Sequence, residues 1–179
     1  MKTLARLLWL ALLLVQKAIM VVGGCLVALL IFVEVFLRYV LGSPLFGVEE
    51  MILFIAMWLY FMGAAYGAYE RTHIKADLVH IWITSPRGHA IARSIAGLIT
   101  VALSIILIKW AYPYFIWGMT KGAKSQALLL PMVLSQSAIF FGSILMTLYF
   151  LTEFIDNLLQ AFSKSPLFKH ISQERTAAQ

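Results

Sequence analysis

The sequence predicts an all-α membrane protein with four transmembrane helices, and three observations lead there. Of 179 residues, 62% are hydrophobic and only 12% are charged, too few polar groups to cover a water-soluble surface. The apolar residues fall into four long runs, each close to the length of about 20 residues that a helix needs to cross the hydrocarbon core. Turn residues and charges are confined to the pieces between those runs. The expected organisation is one four-span membrane domain over residues 1–163 and a polar tail over 164–179.

The net charge of +6 is spread thinly between apolar runs. That pattern fits orientation in a membrane and excludes nucleic acid as a partner. Cys25 is the one cysteine, so the chain has no internal disulfide and no two-cysteine metal site. In its apolar run Cys25 reads as a small hydrophobe.

Residues Met1–Lys17 begin like a signal peptide, with Lys2 and Arg6 ahead of an apolar run, but no small-x-small cleavage site follows. They are expected to form an amphipathic helix along the membrane surface, with Trp9 and the leucines dipping in. The first span covers 18–39, and Gly23 and Gly24 would let another helix approach closely. Glu34 lies about one turn inside its far boundary, with Arg38 one turn on, in the favourable acid-before-base order.

Gly42-Ser43-Pro44 makes a turn. The second span covers 48–69, with Glu49 and Glu50 in its first turn, where the helix dipole favours carboxylates. A short hairpin should bring both acids near Arg38. Gly63-x-x-x-Gly67 is a helix-packing motif.

From Glu70 to Arg93 runs the longest polar connection. Ile74, Leu78, Ile81 and Trp82 recur in it near helical spacing, so a second amphipathic surface helix is expected, ended by Ser85-Pro86 and Gly88. The third span covers 91–112. Lys109, Trp110, Tyr112, Tyr114 and Trp117 form an interfacial belt around its end, which Pro113 marks or kinks. The fourth span covers 132–159. With the N-terminus in the cytoplasm, ten of the 14 basic residues fall on the inner side, so the positive-inside rule places both termini there.

The chemistry of the chain is sparse. His73, Asp77 and His80 could share one helical face and bind a metal. With no further ligand cluster, they read instead as a hydrated patch, and no metal or cofactor is expected. No histidine lies mid-span to hold haem, and no phosphate loop, nucleophile elbow or zinc-protease motif is present. The chain is not expected to be an enzyme. Glu34 is the one acid inside a span away from its first or last few residues, and intramembrane acids are functional candidates by default. Two readings follow. Either Glu34 carries protons in a small proton-coupled exporter, or it forms a structural ion pair with Arg38. The span middles have almost no polar groups and no internal repeat is visible. That favours a helper subunit packed against a larger membrane protein.

From Glu34 to Leu151 the chain resembles the small membrane subunit, the DctQ-like component, of tripartite ATP-independent periplasmic (TRAP) transporters. The resemblance is carried by Arg38-Tyr39, Pro44, Glu49-Glu50, Trp58 and Gly63-Ala64-Ala65. Arg71-x-His73-Ile74-x-x-Asp77, Ser125, Leu130-Pro131 and Gly142-Ser143-x-x-Met146 follow in order. Each piece is weak alone; their order and spacing are specific. An aromatic often found after Leu-Pro is replaced here by Val133, Leu134 and Ser135. The resemblance implies a subunit of the bacterial inner membrane, partnered by a large multi-span subunit, a periplasmic substrate-binding protein and membrane lipids. The large subunit would import an organic acid, such as a C4-dicarboxylate or sialic acid, with sodium by an elevator-type motion. The small one would extend its scaffold. Candidate structural or partner-contact residues are Glu34, Arg38, Glu49, Glu50, Gly63, Gly67, Arg71, His73 and Asp77.

Overall fold

The structure is a computed structural model and describes residues 2–43, 45–70 and 86–161. These form four helices: α1 (Lys2–Tyr39), α2 (Val48–Glu70), α3 (Pro86–Lys121) and α4 (Val133–Ala161). All four are long and apolar enough to cross a membrane, and among the described residues there is no β-strand. A helix satisfies its backbone hydrogen bonds internally, which hydrocarbon requires. Hydroxyl side chains follow the same rule. Thr100 donates to the Ala96 carbonyl at 3.0 Å, Ser143 to Ile139 at 2.6 Å and Thr147 to Ser143 at 2.8 Å.

Three expectations about element bounds are corrected. First, α1 runs unbroken from Lys2, so the N-terminal segment is the opening part of the span's own helix. Its 38 residues would extend about 57 Å at 1.5 Å per residue. Trp9 does not dip into lipid alone; its ring packs edge-on against Tyr149 at 5.4 Å and lies 6.2 Å from Tyr69. Second, α3 starts at Pro86, so Pro86 and Gly88 open the third helix, ahead of its expected start at 91. Proline suits a first helical position, where its missing N–H would have no partner. Third, α3 passes through Pro113 to Lys121. A proline removes one backbone bond, and membrane helices tolerate the loss. The rest of the expected second-loop helix lies on residues 71–85, outside the described residues.

The helices pack in the order α1, α2, α4, α3. The apolar core sits where α1, α2 and α4 converge, around Leu13, Ala65, Ala68, Tyr69 and Tyr149. Deeper along the α2–α4 seam, Gly142 admits Phe61: a β-carbon at Gly142 would stand 2.7 Å from the Phe61 β-carbon. Between α3 and α4, Gly97 faces Phe154 and Phe115 stacks on Phe140 at 5.2 Å. Small residues against large ones are how membrane helices approach without a hydrophobic driving force. Much of the remaining apolar surface faces outward, including Phe32 and Leu103.

Candidate functional site

Glu34, Arg38, Glu49 and Glu50 gather where α1 ends, α2 begins and the α3–α4 loop folds back. Arg38 is in the last turn of α1 and Glu49 in the first turn of α2. The Arg38 Nη2 lies 2.8 Å from Glu49 Oε1 and 3.0 Å from Glu34 Oε1. Glu34 is buried, whereas the Arg38 and Glu49 side chains are 45% and 70% exposed. One guanidinium thus neutralises the buried acid and ties the two helix ends together, a geometry suited to its forked donors.

Glu50 does not join Arg38. Successive residues on a helix diverge by about 100°, and Glu50 turns to the other side. Its Oε1 accepts the Ala127 amide at 2.7 Å and its Oε2 accepts the Leu128 amide at 2.9 Å. The receiving loop is itself closed. Ser125 N donates to the Leu130 carbonyl at 2.8 Å, Leu130 N to Ser125 Oγ at 3.0 Å, and Met132 N to the Ala123 carbonyl at 2.8 Å. Gly122 turns out of α3 with φ +58°, and Leu129 takes φ +54°, a conformation uncommon for a residue with a side chain. Beneath the loop, Gly47 has φ +89°, and a β-carbon there would stand 2.7 Å from Leu128. Nearby, Trp58 Nε1 donates to the Leu134 carbonyl at 3.0 Å, linking α2 to the start of α4.

The other candidates lie elsewhere. Gly63 is on the α2 face toward α1, but a β-carbon there would meet only the end of Met20, at 4.0 Å. Gly67 is half-buried one turn on. Arg71, His73, Asp77 and His80 lie outside the described residues. Among the described residues no group of three His, Cys, Asp or Glu could hold a metal ion. A recess on α1 lined by Ala18, Ile19, Val22, Gly23 and Leu26 is apolar throughout and offers an ion no ligand.

Three features have no counterpart in the sequence reading. Glu50's partners are backbone amides, which carry no residue signature. Gln16 is buried with its Oε1 accepting the Tyr149 hydroxyl at 3.1 Å. Gln136 is buried beside Gly118, whose missing β-carbon makes its space. The signal for the first was present: Ser125 followed by Leu130-Pro131 is a turn-forming pattern facing a helix that opens with two acids.

Fold and site together define a multi-pass membrane protein whose charges hold its own helix ends and loops. Residues 27–160, more than half of the chain, match the family of tripartite ATP-independent periplasmic transporters, DctQ component. The chain belongs to that family. It is also 25% identical over 137 residues to a Haemophilus influenzae protein assigned as a TRAP transporter small permease, a match that covers 76% of this chain and 83% of the relative.

Proposed function

We propose that this small permease subunit is a non-catalytic scaffold. It steadies a large elevator-type subunit during sodium-coupled uptake of an organic acid, delivered by a periplasmic binding protein. The observation that carries this reading is the employment of the charges. Glu34, an acid buried within a span, is held by Arg38, which is itself shared with Glu49. Glu50 is taken up by two loop amides. A scaffold needs rigid helix ends and no ion path, and the described residues supply the first.

On this reading the protein lies in the bacterial inner membrane with both termini in the cytoplasm, by the charge asymmetry of its loops. The hairpin bearing Arg38 and Glu49 then faces the periplasm, where it can meet the binding protein. Arg71, His73 and Asp77, outside the described residues, fix the cytoplasmic turn on this reading. The substrate is an organic acid such as a C4-dicarboxylate or sialic acid, by family likeness alone.

The test is reconstitution in vesicles. The chain alone is expected to move nothing. With its large partner and the binding protein, sodium-dependent uptake of a carboxylate should appear. Solute or proton movement by the chain alone, lost in Glu34→Gln, would support an exporter instead and overturn the scaffold reading.

A further inference from the structure

Contacts between the helices set their levels against one another. Tyr112 of α3 lies 5.9 Å from the Phe140 ring of α4, and Gly97 meets Phe154. Gly142 of α4 meets Phe61 of α2, and the Tyr149 ring lies 5.6 Å from that of Tyr69. Lys109, one turn from Tyr112, therefore stands level with Ser143 on α4 and Met62 on α2. Along α2, Met62 is about 18 Å from Glu50 and about 12 Å from Glu70 at 1.5 Å per residue. If the axes stood upright, Lys109 would lie in the middle of the hydrocarbon. Its side chain is exposed and has no partner among the described residues, an arrangement that a bilayer disfavours.

The polar groups bracketing each helix remove the conflict. At the hairpin end they are Glu50 on α2, Gln136 on α4 and Lys109 on α3; at the opposite end, Glu70, Glu153 and Arg93. On the same alignment both sets slide in one direction along the row α2, α4, α3. A slanted row produces a shift of this kind at both ends, whereas a longer or shorter helix shifts one end only. Lys109 is displaced about 18 Å from the level of Glu50 across two interhelix spacings of about 9 Å each. The displacement at the other end is somewhat smaller.

Past Lys109, Trp110, Tyr114, Trp117 and Lys121 recur at spacings that share one helix face, and all four are exposed. The Tyr114 and Trp117 rings stack at 6.4 Å with 7° between planes. Lys121 and Lys124 are exposed and have no acidic partner among the described residues. Stacked aromatics flanked by unpaired cations complement the carbonyl and phosphate layer of a phospholipid surface.

We propose that α2, α4 and α3 cross the bilayer leaning along their row by roughly 40°. Lys109 then sits at the membrane surface on the hairpin side, and the Trp110–Lys121 face is a contact surface for phospholipid headgroups. The placement is independent of what the transporter carries.

Spin labels on the full chain in phosphatidylethanolamine–phosphatidylglycerol nanodiscs test it, in a Cys25→Ser background. Leu103→Cys is expected at mid-bilayer depth, accessible to oxygen and shielded from an aqueous nickel chelate, with Tyr112→Cys accessible to the chelate. Upright helices reverse this order and overturn the proposal. So does a deep Tyr112→Cys label paired with a Lys109→Cys label that becomes shielded on assembly with the large subunit, which would make Lys109 an inter-subunit cation. Polarised infrared spectra of the unmodified chain in oriented bilayers check the slant without any substitution: a mean tilt near 40° supports it and one near 20° refutes it. Lys121→Gln combined with Lys124→Gln should lower phosphatidylglycerol retention severalfold in native mass spectra. Unchanged retention would refute the headgroup surface.

Discussion

The carboxylate of Glu50 accepts the backbone amide of Leu128 at 2.9 Å, joining the first turn of α2 to a loop 78 positions later in the chain. A second oxygen accepts Ala127, so one side chain holds two consecutive amides. Glu50→Gln keeps the size but replaces one acceptor with a donor that faces an N–H. It should release the loop. The expected result is hydrogen exchange at Ala127 and Leu128 that is faster by roughly tenfold, as for loss of one charge-assisted bond, with the helical amides of α2 unchanged.

Gly47 permits the same contact from below. Its φ of +89° and the Leu128 side chain 2.7 Å from where a β-carbon would sit make two separate demands for glycine. Gly47→Ala should destabilise the chain by about 1–3 kcal/mol, as expected for a strained backbone position, measured by thermal unfolding in detergent. Adding Leu128→Ala relieves the steric part but not the strain in φ. The double variant should therefore recover part of the loss, and full recovery would show that φ is unimportant.

What the sequence could convey depended on whether the partners sit close along the chain or carry distinctive side chains. Arg38 and Glu49 flank one short turn, so their meeting can be read from spacing. Glu50's partners cannot, because they are amides without residue identity, far along the chain. Gln16-Lys17 reads as an interruption between two helices because polar residues suggest water. In the fold Gln16 is buried against Tyr149, and α1 continues through it. Pro86 is ambiguous in principle, since proline both opens and closes helices. A tertiary contact decides the cases of Glu50 and Gln16, and local pattern does not contain it.

Arg38 stands between a buried acid and an exposed one, so its removal and theirs should differ. Arg38→Ala leaves Glu34 buried and uncompensated, whereas Glu49→Gln removes only an exposed partner. Arg38→Ala should lower the yield of monodisperse protein severalfold and Glu49→Gln should change it little. Glu34→Gln introduced into Arg38→Ala should restore much of the loss, because the stranded charge is gone. Equal effects of Arg38→Ala and Glu49→Gln on size-exclusion profiles would show that the hairpin tie, and not the charge of Glu34, is what Arg38 provides.

Two glycines on the same seam system separate motif from contact. Gly63 belongs to the Gly63-x-x-x-Gly67 pattern, yet its missing β-carbon faces only the flexible end of Met20 at 4.0 Å. Gly142 belongs to no such pattern. Its missing β-carbon would meet the Phe61 β-carbon at 2.7 Å and the Phe61 backbone oxygen at 3.2 Å. A methionine tip can rotate away; a β-carbon and a carbonyl move only with the helix that carries them. Gly63→Ala should therefore be nearly neutral. Gly142→Ala should cost about 1–3 kcal/mol, typical of overpacking where the neighbours cannot yield, and should push α2 and α4 apart. Unfolding midpoints in detergent give the stabilities. The distance between spin labels placed on α2 and α4 reports the separation, which should grow in Gly142→Ala and stay fixed in Gly63→Ala.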